Sequence, residues 1–247
     1  MRRYLISGLL WLASASFAII LLPFSFILWF LVWPFDENRI IFHRWLAFQS
    51  IVITGLFPAG KFKVEGCDRI KKDQAYVIIS NHQSALDILA LYRLKTDFKW
   101  ISKIENTRVP GIGWYLKMAG YITIERGNSE SKAVMMKSSV EVLRKGISIM
   151  IFPEGTRSVG GEIGPFKKGA FELAMMTDKP ILPVVLDGTW KMLPKHSKIL
   201  YPVEYVIIRV LDPVFPGMFG TSSPEELAEK FRTLISGELK KIRSGIQ

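Results

Sequence analysis

The sequence predicts an α/β protein: a mixed, largely parallel sheet flanked by helices, preceded by an N-terminal membrane-associated hairpin of two helices. Three observations carry that prediction. No charged residue occurs between Arg3 and Asp36. From residue 61 onward, short β-branched runs alternate with stretches of helical periodicity, as strands do when crossover helices join them. Two of those runs end in polar loops, where α/β sheets place functional groups. The expected division is a hydrophobic anchor over residues 1–58 and an α/β domain over residues 59–247.

The totals agree. A chain of 247 residues buries a substantial core, and its 49% hydrophobic content is concentrated at the N-terminus. A formal net charge of +11 suits nucleic acid, anionic lipid or a phosphorylated small molecule. No long Lys/Arg tract or nucleic-acid motif is present, and the apolar N-terminus favours membrane lipid over nucleic acid. The single cysteine, Cys67, excludes an intramolecular disulfide and fits a reducing compartment, where it reads as a small buried filler. With three histidines and one cysteine, no structural zinc or other metal site is expected.

Taken in order, residues 4–22 are apolar enough to span about 30 Å as a helix. Pro23 is expected to kink or interrupt that helix before residues 24–33. Trp29, Trp33 and Phe35 suit an interfacial aromatic belt. No small-residue cleavage site follows a short apolar core, which argues against a cleaved signal peptide. Residues 34–38 read as a turn and residues 37–57 as a second helix. On it Arg39, His43, Ser50 and Thr54 fall within about 60° of one another. That narrow polar stripe suits a membrane surface or a protein groove, with His43 simply part of it. A single span would leave Arg2 and Arg3 across the membrane from the basic remainder, against the positive-inside tendency. A hairpin dipping into one leaflet keeps both ends on the cytoplasmic side and is preferred.

Strands are expected at residues 61–65, 75–80, 98–102, 121–125, 148–152, 181–186 and 204–211, and helices at 84–94, 112–118, 131–144 and 170–176. The last helix opens on Ser223, Pro224 and Glu226, an N-cap, a proline at the first position and a capping-box glutamate. Its expected packing face is Leu227, Phe231, Leu234 and Ile235, and Lys240, Lys241 and Arg243 complement its C-terminal dipole. His196 lies in a polar, basic loop and reads as a solvated surface residue.

Two loops carry chemistry. The first, Ser80-Asn81-His82-Gln83-Ser84-Ala85-Leu86-Asp87, follows an apolar run. On a continuous helix His82 and Asp87 would point roughly 140° apart. If Ser84 caps the helix, Asp87 sits in its first turn and the loop folds the imidazole back onto the carboxylate. A carboxylate on Nδ1 fixes the tautomer and leaves Nε2 to take a proton. The alternative is a plain capping signature with a surface histidine. The second loop, Phe152-Pro153-Glu154-Gly155-Thr156-Arg157-Ser158, is followed by Gly160, Gly161, Gly164 and Gly169. Backbone N–H groups and one guanidinium there suit phosphate oxygens; the alternative is an ordinary turn.

Together, Asn81-His82 with Asp87 and, about 70 residues on, Phe-Pro-Glu-Gly-Thr-Arg-Ser resemble the glycerolipid acyltransferase family over residues 66–188. An intermediate block is similar too: Lys103, then Pro110-Gly111-Ile112-Gly113, closing at Glu125-Arg126, where many members carry aspartate at the position of Glu125. A fourth block appears as Leu182-Pro183-Val184-Val185. The resemblance implies transfer of a fatty acyl group from a thioester to the sn-2 hydroxyl of 1-acylglycerol 3-phosphate (lysophosphatidate) in phospholipid synthesis. The thioester, of coenzyme A or acyl carrier protein, would be a co-substrate, and no other cofactor is expected. His82 would be the general base and Asp87 its orienting carboxylate. Arg157, then Lys103, then Arg126 would bind the acceptor phosphate. Asn81, Glu154, Gly155 and Thr156 would shape the loops or aim donors at the oxyanion, with Glu154 orienting Arg157 or capping the next turn. Other acceptors, such as glycerol 3-phosphate, stay open, as does a non-catalytic binder of anionic lipid. Membrane lipids are the expected surroundings, at the cytoplasmic face of the cell membrane.

Overall fold

Short runs of Val and Ile flanked by turn residues form strands because their branched side chains pack on a pleated surface. In the computed structural model, which describes residues 2–57 and 61–245, seven such runs make one sheet. They are β1 (Lys61–Glu65), β2 (Val77–Ser80), β3 (Phe98–Lys103), β4 (Ile122–Ile124), β5 (Ser148–Ile151), β6 (Ile181–Asp187) and β7 (Tyr205–Val210). Their order is β1-β7-β6-β2-β5-β3-β4. From β6 to β4 all neighbours are parallel; β7 runs antiparallel to β6 and parallel to β1. The expected mixed, largely parallel sheet is what forms.

Alternation along β2 sends its residues to two cores. Val77 and Ile79 face α5 (Ser129–Arg144), α6 (Gly169–Thr177) and α8 (Pro224–Ser244), through Leu143, Phe171 and Phe231. Ile78 faces α2 (Ile40–Gly55), α3 (Leu86–Leu91) and α4 (Ile112–Met118), through Phe42, Leu91 and Met118. Each such fully buried apolar side chain contributes about 1.5–3 kcal/mol of transfer free energy. A parallel sheet needs this cover on both faces.

The N-terminal helix departs from expectation. α1 (Arg2–Val32) runs unbroken through Pro23. A proline deletes one N–H from the ladder without ending it on either side, and α1 is held on both sides of Pro23. Ser7 Oγ accepts from Leu200 N–H, and Ser25 Oγ accepts from the Trp45 indole N–H and the Gln49 amide. α1 is long and apolar enough to cross a membrane, and nearly all of its apolar surface is exposed. α2 begins at Ile40, later than expected, because Asp36 caps it. The Asp36 carboxylate accepts from the N–H groups of Ile40 and Phe42, while Arg39 turns left-handed with φ 55°.

The polar stripe of α2 faces protein. His43, Ser50 and Thr54 are buried. His43 Nε2 lies 3.2 Å from the Thr96 carbonyl, which can only accept, so Nε2 carries the hydrogen and Nδ1 accepts from Tyr121 Oη at 2.8 Å. Burial, more than any neighbouring charge, lowers the His43 pKa to about 4.

Smaller corrections have local causes. The helix expected over residues 84–94 is α-helical only from Leu86 to Leu91 and tightens to a 3₁₀ turn at Tyr92–Leu94. In α8 the buried stripe is Leu227, Ala228, Phe231, Ile235 and Leu239, whereas Leu234 lies to one side of it and is exposed. Ser223 caps α8 by accepting from Glu226 N–H, but the Glu226 carboxylate takes the Thr221 hydroxyl and not the Ser223 N–H. Cys67 is exposed, in a 3₁₀ turn that follows β1. His196 is exposed. The expected division between residues 58 and 59 falls outside the described residues.

Candidate active site

The carboxyl ends of β2, β5, β3 and β4 share one edge of the sheet, and the candidate site residues lie at those strand ends, in the loops leaving them or, for Asp87, in the first turn of α3. β2 ends at Ser80, and Asn81 prolongs it with its side chain. Asn81 Nδ2 donates to the Leu186 carbonyl at 2.8 Å, and Leu186 N–H donates to Asn81 Oδ1 at 2.9 Å. That pair imitates one more rung of the β2–β6 ladder while the backbone turns away. Asn81 is fully buried in this task, which makes it a loop-shaping residue and removes it as an oxyanion donor.

The turn brings His82 back to Asp87, with Nδ1 to Oδ2 at 2.8 Å. Asp87 is 0% exposed, and its Oδ2 also accepts from the N–H groups of Gln83 and Ser84 at 2.5 and 2.8 Å. A carboxylate oxygen collecting backbone N–H groups is an acceptor, so the His82 nitrogen facing it is the protonated one. The Ser84 hydroxyl donates to the Leu193 carbonyl and accepts from Leu86 N–H at 3.3 Å, while Asp87 satisfies the N–H groups of Gln83 and Ser84. The imidazole stacks on Phe152 at 4.0 Å and 9°, and its side chain is 15% exposed. Nε2 is the one ring nitrogen left for a substrate.

Glu154 joins the two motifs. Its Oε1 accepts from His82 N–H at 2.7 Å and its Oε2 from Gly164 N–H at 3.0 Å. Ser158 N–H donates to the His82 carbonyl at 2.7 Å, closing the loop pair from the other side. Burial pushes the Glu154 pKa up. The expected contact of Glu154 with Arg157 is absent: both carboxylate oxygens are engaged by backbone groups. Gly155 adopts φ +68°, and a Cβ there would lie 3.1 Å from Lys167 Nζ. Its N–H donates to the Phe152 carbonyl, so Gly155 shapes the turn and offers no oxyanion donor. Thr156 is exposed. The Arg157 guanidinium makes no hydrogen bond or ion pair with any described residue, while its carbonyl accepts from Lys195 Nζ at 2.6 Å.

Lys103 ends β3, and Arg126 follows β4; Lys103 lies opposite Ile124 in the ladder. With strands about 4.8 Å apart, they stand about 10 and about 14 Å sideways from β2. They therefore stand to one side of His82 along the same sheet edge. Between them Glu105 is held below the usual carboxylate range by its own backbone N–H, then by Lys103, Arg126 and Arg108. Arg108, in the 3₁₀ turn Ile104–Arg108, adds a cation that the sequence reading missed. Phe152 carries no sequence signal beyond being the first residue of its motif, yet it stacks on His82. Among the described residues no cluster of three or more His, Cys, Asp or Glu suits a metal ion.

Comparison with known proteins follows this geometry. The sequence profile of a family described as Acyltransferase matches residues 61–187. A chloroplast 1-acyl-sn-glycerol-3-phosphate acyltransferase of Brassica napus is 39% identical over 165 residues, 66% of this chain and 48% of that protein. A 1-acyl-sn-glycerol-3-phosphate acyltransferase of Saccharomyces cerevisiae is 32% identical over 185 residues, covering 73% of this chain and 60% of that protein. The chain thus spans about half the length of the two chloroplast relatives, from Brassica napus and Arabidopsis thaliana. The crystal structure of a 1-acyl-sn-glycerophosphate acyltransferase from Thermotoga maritima superposes with a TM-score of 0.84 at 25% identity, covering 98% of this chain and 96% of that one.

Proposed function

The chain belongs to the acyltransferase family, and from that membership we propose that it moves an acyl group from an acyl thioester to the sn-2 hydroxyl of 1-acylglycerol 3-phosphate, giving phosphatidate. The observation that carries this reading is His82, pinned through Nδ1 to a fully buried Asp87, with Nε2 left without a partner among the described residues. Nε2 takes the proton of the acceptor hydroxyl as its oxygen attacks the thioester carbonyl. The tetrahedral intermediate collapses, the C–S bond breaks, and the thiolate leaves with the proton that His82 had taken. Products are an ester and a free thiol, with no enzyme nucleophile. Asp87 stabilises the imidazolium formed on the way. Arg157, unpaired among the described residues, receives the acceptor phosphate in this reading, with Lys103, Arg126 and Arg108 as a second cationic bank.

The test is thiol release from palmitoyl thioesters of coenzyme A and of acyl carrier protein, by the purified chain in detergent. Release should require lysophosphatidate. Release only with glycerol 3-phosphate would change the acceptor; none with either donor would refute the reading.

The same proposal seats the helical hairpin in one leaflet at the cytoplasmic face of the cell membrane. α1 touches the catalytic domain at Ser7, at Trp11, whose indole N–H donates to the Lys198 carbonyl, and at Ser25, which bonds Tyr115 Oη. Eighteen residues of helix separate the first and last of these, about 27 Å. A helix upright across the bilayer would drag that much of the α/β domain into lipid. Lying flat, it offers Leu5, Leu9, Ile20 and Phe24 to acyl chains. In an Arg2→Cys, Cys67→Ser chain, an impermeant maleimide should label inverted membrane vesicles and spare intact cells. The reverse pattern excludes the hairpin.

A further inference from the structure

The two oxygens of Asp87 are treated unequally. Oδ2 holds His82 and two backbone N–H groups, whereas Oδ1 has one partner among the described residues, the Thr189 hydroxyl at 2.5 Å. Thr189 is fully buried, 102 residues from Asp87, and beyond the stretch that carries the family's motifs. We propose that Thr189 is a positioning residue of the catalytic dyad, which aims the Asp87 carboxylate so that His82 presents Nε2 to the acceptor hydroxyl. This rests on the acyltransferase reading given above.

The local chain is built for that purpose. β6 turns straight into α7 (Thr189–Met192) at Gly188, which has φ +98°; a Cβ there would lie 2.5 Å from the Tyr205 carbonyl oxygen. Only glycine permits so abrupt a turn, and it swings Thr189 beneath α3. A threonine at a helix start ordinarily bonds the backbone around it. Here the hydroxyl makes no such bond among the described residues. Its other neighbour, Gln83 Oε1, is farther away at 3.4 Å, so its one hydrogen goes to Asp87.

The strand residue before Gly188 is anchored in turn. Asp187 Oδ1 accepts from the Gln83 amide, from the Trp190 indole and from two nitrogens of Arg243 in the last turn of α8. Arg243 also donates to the Gly161 carbonyl of the glycine loop. Strand end, turn and catalytic loop are thereby held together, so the Thr189 hydroxyl has little freedom to drift.

Only three histidines are present, so uniform ¹⁵N-histidine labelling of the full chain in detergent micelles resolves the His82 tautomer, with His82→Ala used for assignment. Wild type and Thr189→Ser should show the Nδ1–H form alone, and Thr189→Val a mixture with the Nε2–H form. In the same proteins kcat for acyl transfer should fall about 10- to 100-fold in Thr189→Val, as expected when a buried charged acceptor loses its donor. KM for thioester and acceptor should stay within about twofold, and Thr189→Ser should recover both signals. Thr189→Ala removes the same hydroxyl if valine prevents folding. An unchanged His82 tautomer in the hydroxyl-less protein overturns the proposal, whatever its rate. So does a serine variant that restores neither signal, because the loss then belongs to packing. A wild type that transfers no acyl group refutes the acyltransferase reading instead, and the tautomer still decides the role of Thr189.

Discussion

His82→Ala lowers acceptor-dependent thiol release by about 10²–10⁴-fold, the range over which a positioned general base acts. The protein should still fold. The His82 backbone N–H keeps its bond to Glu154 and its carbonyl keeps the bond from Ser158. Asp87 retains three of its four donors, from Gln83, Ser84 and Thr189. The structural losses are the stacking of the imidazole on Phe152, worth about 0.5–1.5 kcal/mol for an aromatic pair, and one of the four donors to Asp87. Melting temperature and vesicle binding should therefore change little while turnover collapses. Turnover within about tenfold of wild type would mean that another group takes the acceptor proton, and the mechanism above would fail. A non-catalytic lipid-binding protein would have no turnover to lose.

How far the sequence spoke depends on the range of each interaction. The His82–Asp87 pair was legible because a spacing of five is useless on a helix, which forced the loop to fold back. The strands were legible because β-branched runs between turn residues have few other solutions. Glu154 was not legible: its partners are backbone N–H groups at His82 and Gly164, and backbone groups leave no mark in a sequence. Proximity along the chain points Glu154 toward Arg157, and here it misleads. Thr189 was silent for a different reason: it meets Asp87, 102 residues away, only because β6 lies beside β2. Pro23 shows the converse. Its local preference is real, but contacts at Ser7 and Ser25 override it. The stripe on α2 was visible, yet membrane and protein groove impose the same amphipathic pattern on a helix. Only the bonds from His43 to Tyr121 and Thr96 decide between them.

Arg157→Ala lowers kcat/KM for lysophosphatidate by about 10²–10⁴-fold, because hydrogen bonds between charged partners contribute about 1.5–3 kcal/mol each and a guanidinium makes two to a phosphate. The fall should lie mainly in KM, since the phosphate is bound alike before and during the reaction. Position supports the assignment. The Arg157 carbonyl is held by Lys195, and the next residue, Ser158, donates to the His82 carbonyl, so this loop and the base move as one unit. Lys103 and Arg126 stand farther along the sheet edge, and Lys103 has Glu105 nearby at 3.8 Å. Arg157 lacks any such neutralising partner among the described residues. Arg157→Lys should recover only part of the loss, because an ammonium is a point charge and not a fork. The deciding measurement uses monoacylglycerol, the acceptor without its phosphate. If Arg157 binds phosphate, wild type and Arg157→Ala should handle that poor acceptor equally well. An equal fall with both acceptors would show that Arg157 supports the loop or the oxyanion instead, and would pass the phosphate to the bank formed by Lys103, Arg108 and Arg126.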